Sequence, residues 1–234
     1  MFYIRIADLN VKIENKYPHV QRLCEKYIVD TPNRVDIEVS VSENDIDQEL
    51  SNSEGKQRGF AESVCIYRKI CKDLPKNFNA YLLHSALIEY KGRGYAFAAQ
   101  SGTGKSTHIA LWKKLFGNEV RVVNGDKPII RCIDGKFIAY GTPWCGKEGL
   151  GENASVELKA ICFIERGKDN SISQISSADA VSKLFYQVLM PDDMENLDAL
   201  LGLLDSTLAS VSCHILKCNM DIDAARVAYD GMKG

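Results

Sequence analysis

The sequence predicts an α/β fold in which helices flank a mixed β-sheet. Short apolar runs with strand-like alternation recur along the whole chain, and segments with helical spacing lie between them. Tight turns such as Asp134-Gly135 join neighbouring strands directly, leaving few strand-helix-strand crossovers. A regular doubly wound order therefore does not fit, and a mixed sheet does.

In chain order, residues 2–13 alternate as a hairpin broken at Asp8, and residues 17–28 carry helical spacing through Val20, Leu23, Cys24, Tyr27 and Ile28. Val35, Ile37, Val39 and Val41 mark a half-buried strand. Residues 43–59 are polar and rich in Ser, Asp, Glu and Gly, and read as a mobile loop or weak connection. Residues 61–74 read as a helix that Pro75 ends. Residues 81–90 form a strand, Lys91-Gly92-Arg93-Gly94 a turn, and Tyr95–Ala98 the partner strand of a hairpin.

A helix over 104–116 stops at Gly117, a short strand runs through Val120–Val123, and residues 128–140 form a hairpin. Residues 141–153 read as a glycine-rich loop too polar and irregular for the core. A strand over 158–165, an edge strand over 171–175, helices over 178–190 and 194–211, a strand over 213–218 and a helix over 222–229 complete the chain.

Length and composition (234 residues, 45% hydrophobic, 26% charged) are those of a globular chain able to bury a substantial core. The net charge of −2 gives no general attraction to nucleic acid or to a membrane surface. No apolar run approaches the roughly 18 residues that span a bilayer. The N-terminus lacks a secretory pattern, and none of the eight cysteines is spaced C-x-x-C. Buried, reduced thiols and a cytoplasmic location follow as expectations.

Between the strand at 95–98 and the helix after it stands Ala99-Gln100-Ser101-Gly102-Thr103-Gly104-Lys105-Ser106-Thr107. Strand, glycine-rich loop and helix in this order are the setting of a phosphate-binding loop, with Ala99 in place of the first glycine of the usual pattern. Gly102 and Gly104 let successive N–H groups turn into one hollow, and the helix start adds unpaired N–H groups. Ser101, Gly102, Thr103, Gly104, Lys105, Ser106 and Thr107 are the expected nucleotide-binding residues. Lys105 would reach the outer phosphates, and the Ser106 hydroxyl would ligate Mg²⁺. Asp126 ends an apolar strand, where a carboxylate can meet metal or act as a base; its plainer alternative is a turn residue before Pro128.

With these residues assembled, the chain resembles the catalytic domain of the HPr kinase/phosphorylase family, which shares its nucleotide site with the phosphoenolpyruvate carboxykinases. The resemblance rests on Leu82-Leu83-His84-Ser85-Ala86-Leu87, on Ser101-Gly102-Thr103-Gly104-Lys105-Ser106, and on Val122-Val123-Asn124-Gly125-Asp126. It covers residues 80–165 most closely. It implies a single P-loop kinase-like domain in which 1–79 are additional N-terminal elements, 80–165 the nucleotide-binding core and 166–234 a C-terminal elaboration. Asn124-Gly125-Asp126 supplies one carboxylate where the family has two. The family's arginine- and glycine-rich substrate signature is not found.

By the resemblance, His84 approaches the γ-phosphate or orients the aspartate; flanked by leucines, it also reads as a core histidine. His108 reads as exposed or near a nucleotide base, and Arg166, which closes a strand, as a phosphate clamp or, more simply, an exposed turn arginine. Gly141–Gly151, with Trp144, Lys147 and Glu148, suits a flap closing over the acceptor, the alternative being a structural loop anchored by Trp144. Cys145 has no base legible nearby.

The expected function is an ATP- and Mg²⁺-dependent kinase acting on a hydroxyl, either a serine of a protein or peptide or a small molecule. Asp126, His84, Lys105 and Lys147 are the expected catalytic residues, with Ser106 and Asp126 on the metal. The expected partners are a nucleotide and that acceptor, with self-association left open. Two alternatives stand beside it: carboxykinase-like chemistry on a small carboxylate, and a nucleotide-binding sensor or assembly module without turnover.

Overall fold

A computed structural model of the chain describes residues 1–52, 55–100 and 102–234. Ser101, expected in the phosphate loop, lies outside the described residues.

The N-terminal part is a small sheet backed by helices. β1 (Phe2–Ile6) and β2 (Leu9–Glu14) form the expected hairpin, turning at Ala7 and Asp8 with positive φ. β3 (Ile28–Val29) joins β1, and β4 (Ile37–Ser40) runs parallel to β2. The inward faces of β1 and β2 are buried against α1 (Pro18–Leu23), α2 (Glu43–Ser51) and α3 (Arg58–Lys72), followed by the short α4 (Leu74–Phe78).

Three expectations fail in this part. The helix expected over 17–28 stops at Leu23, and a 3-10 turn over Glu25–Tyr27 finishes the segment. Residues 43–51, expected as loop, are helical. There the Ser42 hydroxyl accepts from the Asp45 amide at 3.1 Å while the Asp45 carboxylate accepts from the Ser42 amide at 2.9 Å. Ile46 is fully buried, and the buried Glu49 is paired with Arg68, so a helix with a narrow apolar stripe forms inside a charged segment. Pro75 sits in the first turn of α4, where its missing N–H costs nothing, instead of simply ending α3.

The main sheet contains β5 (Ala80–Leu82), β6 (Ser85–Tyr90), β7 (Arg93–Ala98), β8 (Val120–Asn124), β9 (Ile129–Ile133), β10 (Lys136–Tyr140), β11 (Ser155–Arg166), β12 (Ser171–Gln174) and β13 (Ser212–Cys218). Its order is β5-β9-β10-β11-β7-β6-β8, with β13 against β11 and β12 on the outside. The long β11 pairs first with β10. From Leu158 it runs parallel to β7, and from Ala160 it is also parallel to β13. The remaining pairings are antiparallel, so the sheet is mixed, as its hairpins predict.

Helices α5 (Lys105–Phe116) and α8 (Asp223–Met232) cover one face around the buried Trp112, and α6 (Ser177–Phe185) and α7 (Met194–Ser210) cover the other. Among the described residues no helix is long and apolar enough to cross a membrane.

Two differences in this sheet bear on the site. The single strand expected over 81–90 is broken at Leu83-His84: β5 pairs with β9, whereas β6 pairs with β7 and β8. The helix expected to reach Met190 stops at Phe185, because Val188 makes a bridge to Leu83 and the Gln187 carbonyl accepts from the His84 amide at 2.6 Å. The break lifts His84 out of the regular ladder.

Candidate active site

The loop after β7 curls as its glycines require. Gly102 and Gly104 have φ of 78° and 125°, values that L side chains rarely adopt. A Cβ at either would meet no heavy atom within 4 Å, so the hollow in front of them is open. Helix α5 starts at Lys105 with no side-chain cap and no acidic residue in its first turn, leaving its amides to a ligand. Ser106 and Thr107 are exposed at that helix start.

The Lys105 Nζ donates to the Ala99 carbonyl at 2.9 Å and lies 3.3 Å from His84 Nε2. Burial holds its pKa below the ordinary lysine value, against the opposing pull of Asp126.

Asp126 is positioned by Asn124. The buried Asn124 Oδ1 accepts from the amides of Asp126 and Lys127 at 2.8 and 2.7 Å, forming an Asx turn at the end of β8. Asn124 Nδ2 donates to the Thr142 carbonyl at 3.0 Å, and the Asp126 carbonyl accepts from the Ser85 amide at 3.0 Å. The side chain is thereby held between two partners. Oδ1 is 3.1 Å from His84 Nε2, and Oδ2 is ion-paired with Lys127 Nζ.

Burial alone would raise the Asp126 pKa, but the hydrogen bonds from His84 and Lys127 outweigh it and hold the carboxyl at about 2. Lys127 also lies over the Tyr67 ring, 5.6 Å from its centroid. Lys105, His84 and Asp126 are therefore adjacent in space. Lys127 belongs with them, and its place next to Asp126 in the chain was the available signal. Beside His84, the buried Ser85 Oγ and Gln187 Oε1 have no partner among the described residues.

The segment 141–151 divides in two. Gly141–Trp144 are buried, which overturns the expectation that this segment is too polar and irregular for the core. Trp144 Nε1 donates to the Ser63 carbonyl at 3.1 Å, and its ring meets Tyr67 edge-on at 5.7 Å. The exposed part is the tip Gly146–Leu150, which carries Lys147 and Glu148.

A Cβ on Gly146 would lie 3.2 Å from Asp126 Cβ, so the tip turns directly against that aspartate. Lys147 itself makes no hydrogen bond or ion pair with Lys105, His84 or Asp126 among the described residues. The loop also leaves no room for a side chain at residue 125. A Cβ on Gly125 would stand 2.5 Å from the Cys145 carbonyl oxygen and 3.1 Å from that of Leu150. Burial pushes the Cys145 thiol pKa up, the opposite of what a reactive thiolate needs.

On the other side of the loop lies a cleft of about 430 Å³, lined by α5, the end of β11 and the turn after β13. His108, expected to be exposed or near a nucleotide base, is 2% exposed and lines this cleft. It accepts from Trp112 Nε1 at 2.9 Å, and burial holds its pKa down at about 4. Arg166 is exposed, and its Nη2 donates to the Gly102 carbonyl at 2.7 Å, which brings it to the glycine loop. A smaller groove of about 150 Å³ lies between α3 and Leu189–Asp192 and contains none of the loop residues.

All eight cysteines are free, and no group of three or more His, Cys, Asp or Glu side chains suited to a metal exists among the described residues. No protein-family model matches the chain, and no curated protein matches it. Among solved structures it is similar to the Hpr(Ser) kinase/phosphatase from Coxiella burnetii, at 8% identity and a TM-score of 0.37, over 65% of this chain and 99% of that one.

Proposed function

We propose that the chain is an ATP- and Mg²⁺-dependent kinase that transfers the γ-phosphoryl group to a hydroxyl, that of a serine in a peptide or of a small molecule. The observation that carries the reading is the convergence of Lys105, His84 and Asp126 beside an open, glycine-turned loop at a helix start.

The residues present fit the nucleotide and its metal. The amides of Gly102, Gly104 and the first turn of α5 would form the anion hollow, with the hydroxyls of Thr103 and Thr107 beside it, while the Thr103 amide donates to the Gln100 carbonyl at 3.1 Å and shapes the turn. Lys105, now folded onto the Ala99 carbonyl, is free to exchange that contact for a phosphate. Ser106 and Asp126 would hold Mg²⁺, a donor set of one hydroxyl and one carboxylate that suits an ion completed by phosphate oxygens and water. When bound, the metal supplies charge neutralisation on the phosphates.

Asp126 is a weak base at neutral pH because its pKa is about 2. Its carboxylate instead orients the acceptor hydroxyl, while His84 Nε2–H holds Oδ1. A bond forms from the acceptor oxygen to the γ-phosphorus as the bond to the β-phosphate oxygen breaks. The hydroxyl proton leaves late, as a loose transition state allows, and passes to an oxygen of the transferred phosphoryl group, while the nucleoside diphosphate departs with the bridging oxygen. Lys147, on the tip that backs onto Asp126, meets the acceptor side.

The test is calorimetric titration with MgATP of the wild type and of Lys105→Ala. It is paired with phosphoryl transfer from labelled ATP to a serine-peptide pool and to a panel of small hydroxyl compounds. The reading expects binding that Lys105→Ala loses and a labelled acceptor. Equal binding by a folded Lys105→Ala variant overturns the loop assignment. A second reading, nucleotide binding without turnover, is favoured by the engagement of both Asp126 oxygens. Tight MgATP binding with no labelled acceptor and no ATP consumed would select it.

A further inference from the structure

Two separate routes lead away from Asp126 and meet at the groove of about 150 Å³ between α3 and the segment joining α6 to α7. The first runs through Lys127, which is ion-paired with Asp126 and lies over the Tyr67 ring. Arg68, the next residue of α3, lines the groove. The second runs through His84, whose amide donates to the Gln187 carbonyl; two residues on, Leu189 begins the opposite wall. At that junction Gln187 keeps a buried Oε1 with no partner among the described residues, an acceptor that an incoming N–H can satisfy.

The two walls differ in character. On α3, Lys72 stands one turn after Arg68 and Lys69, so the three cations share one face. Arg68 gives Nη1 to Glu49, and Lys69 gives Nζ to Asp45 and to the Ser40 carbonyl. The exposed Lys72 has no hydrogen bond or ion pair among the described residues and feels only the more distant field of Asp193, whose carboxylate caps α7. The facing wall is apolar through Leu189 and Met190, and Asp192 is the one acidic side chain of the described lining.

Size and position restrict the occupant. The groove is smaller than the roughly 300 Å³ at which whole small-molecule sites begin, and takes a side chain or two. It is also set apart from Asp126, with Lys127 and Tyr67 along the way. A small metabolite seated here would not present its hydroxyl at Asp126. An extended peptide, advancing about 3.3 Å per residue, covers both places with a few residues.

We propose that this groove docks the phosphoryl acceptor, and that the acceptor is an acidic peptide. A carboxylate a few residues from the reacting serine pairs with Lys72 and Arg68, and an apolar neighbour rests on Leu189 and Met190. The proposal rests on the kinase reading above and goes beyond it by choosing a peptide over a small molecule and by fixing its charge.

The experiment uses short serine peptides whose flanking residues are glutamate, glutamine or lysine. Binding is read from the anisotropy of labelled peptides in the presence of MgADP, and transfer from labelled ATP. The wild type is expected to favour the glutamate peptide over the lysine peptide by at least about ten-fold in kcat/KM, less so as salt rises. Lys72→Glu should lower the glutamate peptide by about three- to ten-fold and raise the lysine peptide, with MgATP affinity changed by less than about two-fold. Asp192→Asn should raise the glutamate peptide by about two-fold. Both side chains are exposed and without ion pairs among the described residues, so neither change threatens the fold.

Transfer to peptides regardless of their charge, or a charge preference that neither variant moves, overturns the groove and leaves the kinase reading intact. So does transfer to small hydroxyl compounds with no peptide bound. Binding of the glutamate peptide that Lys72→Glu abolishes, with no transfer to any acceptor, overturns the kinase reading and keeps the groove as a docking site. Absence of both peptide binding and transfer overturns the two together.

Discussion

Replacing Gly125 tests whether the single carboxylate is a consequence of packing. A methyl group at this position would stand 2.5 Å from the Cys145 carbonyl oxygen and 3.1 Å from that of Leu150. Both are backbone atoms of a loop held at several points: Trp144 is bonded to Ser63, Glu152 N–H donates to the Val123 carbonyl, and Gly151 bridges to Asn124. The loop cannot retreat without giving up one of these contacts. Overpacking of this kind costs about 1–3 kcal/mol. At about 2–4 °C per kcal/mol for a chain of this length, Gly125→Ala should melt roughly 2–12 °C below the wild type.

Gly125→Asp should be destabilised at least as much, and it should not tighten Mg²⁺ binding, because its carboxyl cannot settle beside Asp126 while the loop keeps its place. Thermal unfolding by circular dichroism gives the first quantity, and Mg²⁺ titration in the presence of a non-hydrolysable ATP analogue gives the second. A Gly125→Ala variant melting within about 1 °C of the wild type would refute the packing argument. A stable Gly125→Asp variant with tighter Mg²⁺ would refute it more completely, since the second acid would then have had room all along.

Asp126→Asn should lower Mg²⁺-dependent transfer by about 10²–10³-fold while metal-free ATP still binds; near-normal turnover would reduce Asp126 to a turn residue. His84→Ala, which removes a hydrogen-bond partner of that carboxylate, should cost about 10–100-fold with the Mg²⁺ requirement unchanged, as initial rates across a metal titration would show. Lys147→Ala should leave ATP affinity nearly unchanged and depress transfer. Equal losses of both would place Lys147 on the nucleotide side.

Ser42→Ala should cost about 1 kcal/mol through loss of the α2 cap, read as a lowered melting temperature. Asp45, bonded to Lys69 and to the Ser42 amide, has its pKa lowered from 3.8 to about 2. Its stabilisation is thus complete above the unfolded value and is lost as pH falls from 3.8 through 2. Melts between pH 2 and pH 6 should show a shallower acid limb for Asp45→Asn.

Much of this architecture was legible because it is encoded locally. Asp134-Gly135 turns the β9–β10 hairpin with φ of 49° and 77°, and Gly117, with φ of 62°, ends α5. The loop pattern around Gly102 and Gly104 is local in the same way, and it placed Lys105 correctly at the helix start.

What was hidden depends on partners distant in sequence. The helix over Glu43–Ser51 is secured by burial of Ile46 and by Arg68 reaching back to Glu49. The break at His84 exists because Gln187 and Val188 return to that point from the far end of α6. Arg166 reads as a phosphate clamp or, more simply, a turn arginine in the sequence, and only the pairing of β11 with β7 shows that it reaches the Gly102 carbonyl. His108 reads as exposed or near a nucleotide base because it follows the polar run Lys105-Ser106-Thr107, yet Trp112 one turn later draws it into the core.

The same packing accounts for how one carboxylate can suffice. Asn124, Gly125 and Asp126 each meet a different constraint at the end of β8: Asn124 caps the turn, Gly125 admits the backbone of the 141–151 loop, and Asp126 meets His84, which Lys105 approaches from the other side. An acid at the Gly125 position would have to displace the carbonyls that keep Gly146 against Asp126. Holding the exposed tip to the carboxylate and carrying a second carboxylate are therefore competing uses of one space, and in this chain the tip holds it. On the proposed function Asp126 would serve as a fixed negative charge, since His84 and Lys127 lower its pKa to about 2. A phosphoryl transfer through a loose transition state needs placed charges more than a strong base, so this arrangement is compatible with turnover. On the proposed function, Gly146 sets the tip against the Asp126 side chain, where an added Cβ would stand 3.2 Å from the Asp126 Cβ, so a substitution there should disturb binding of the acceptor and of the metal together.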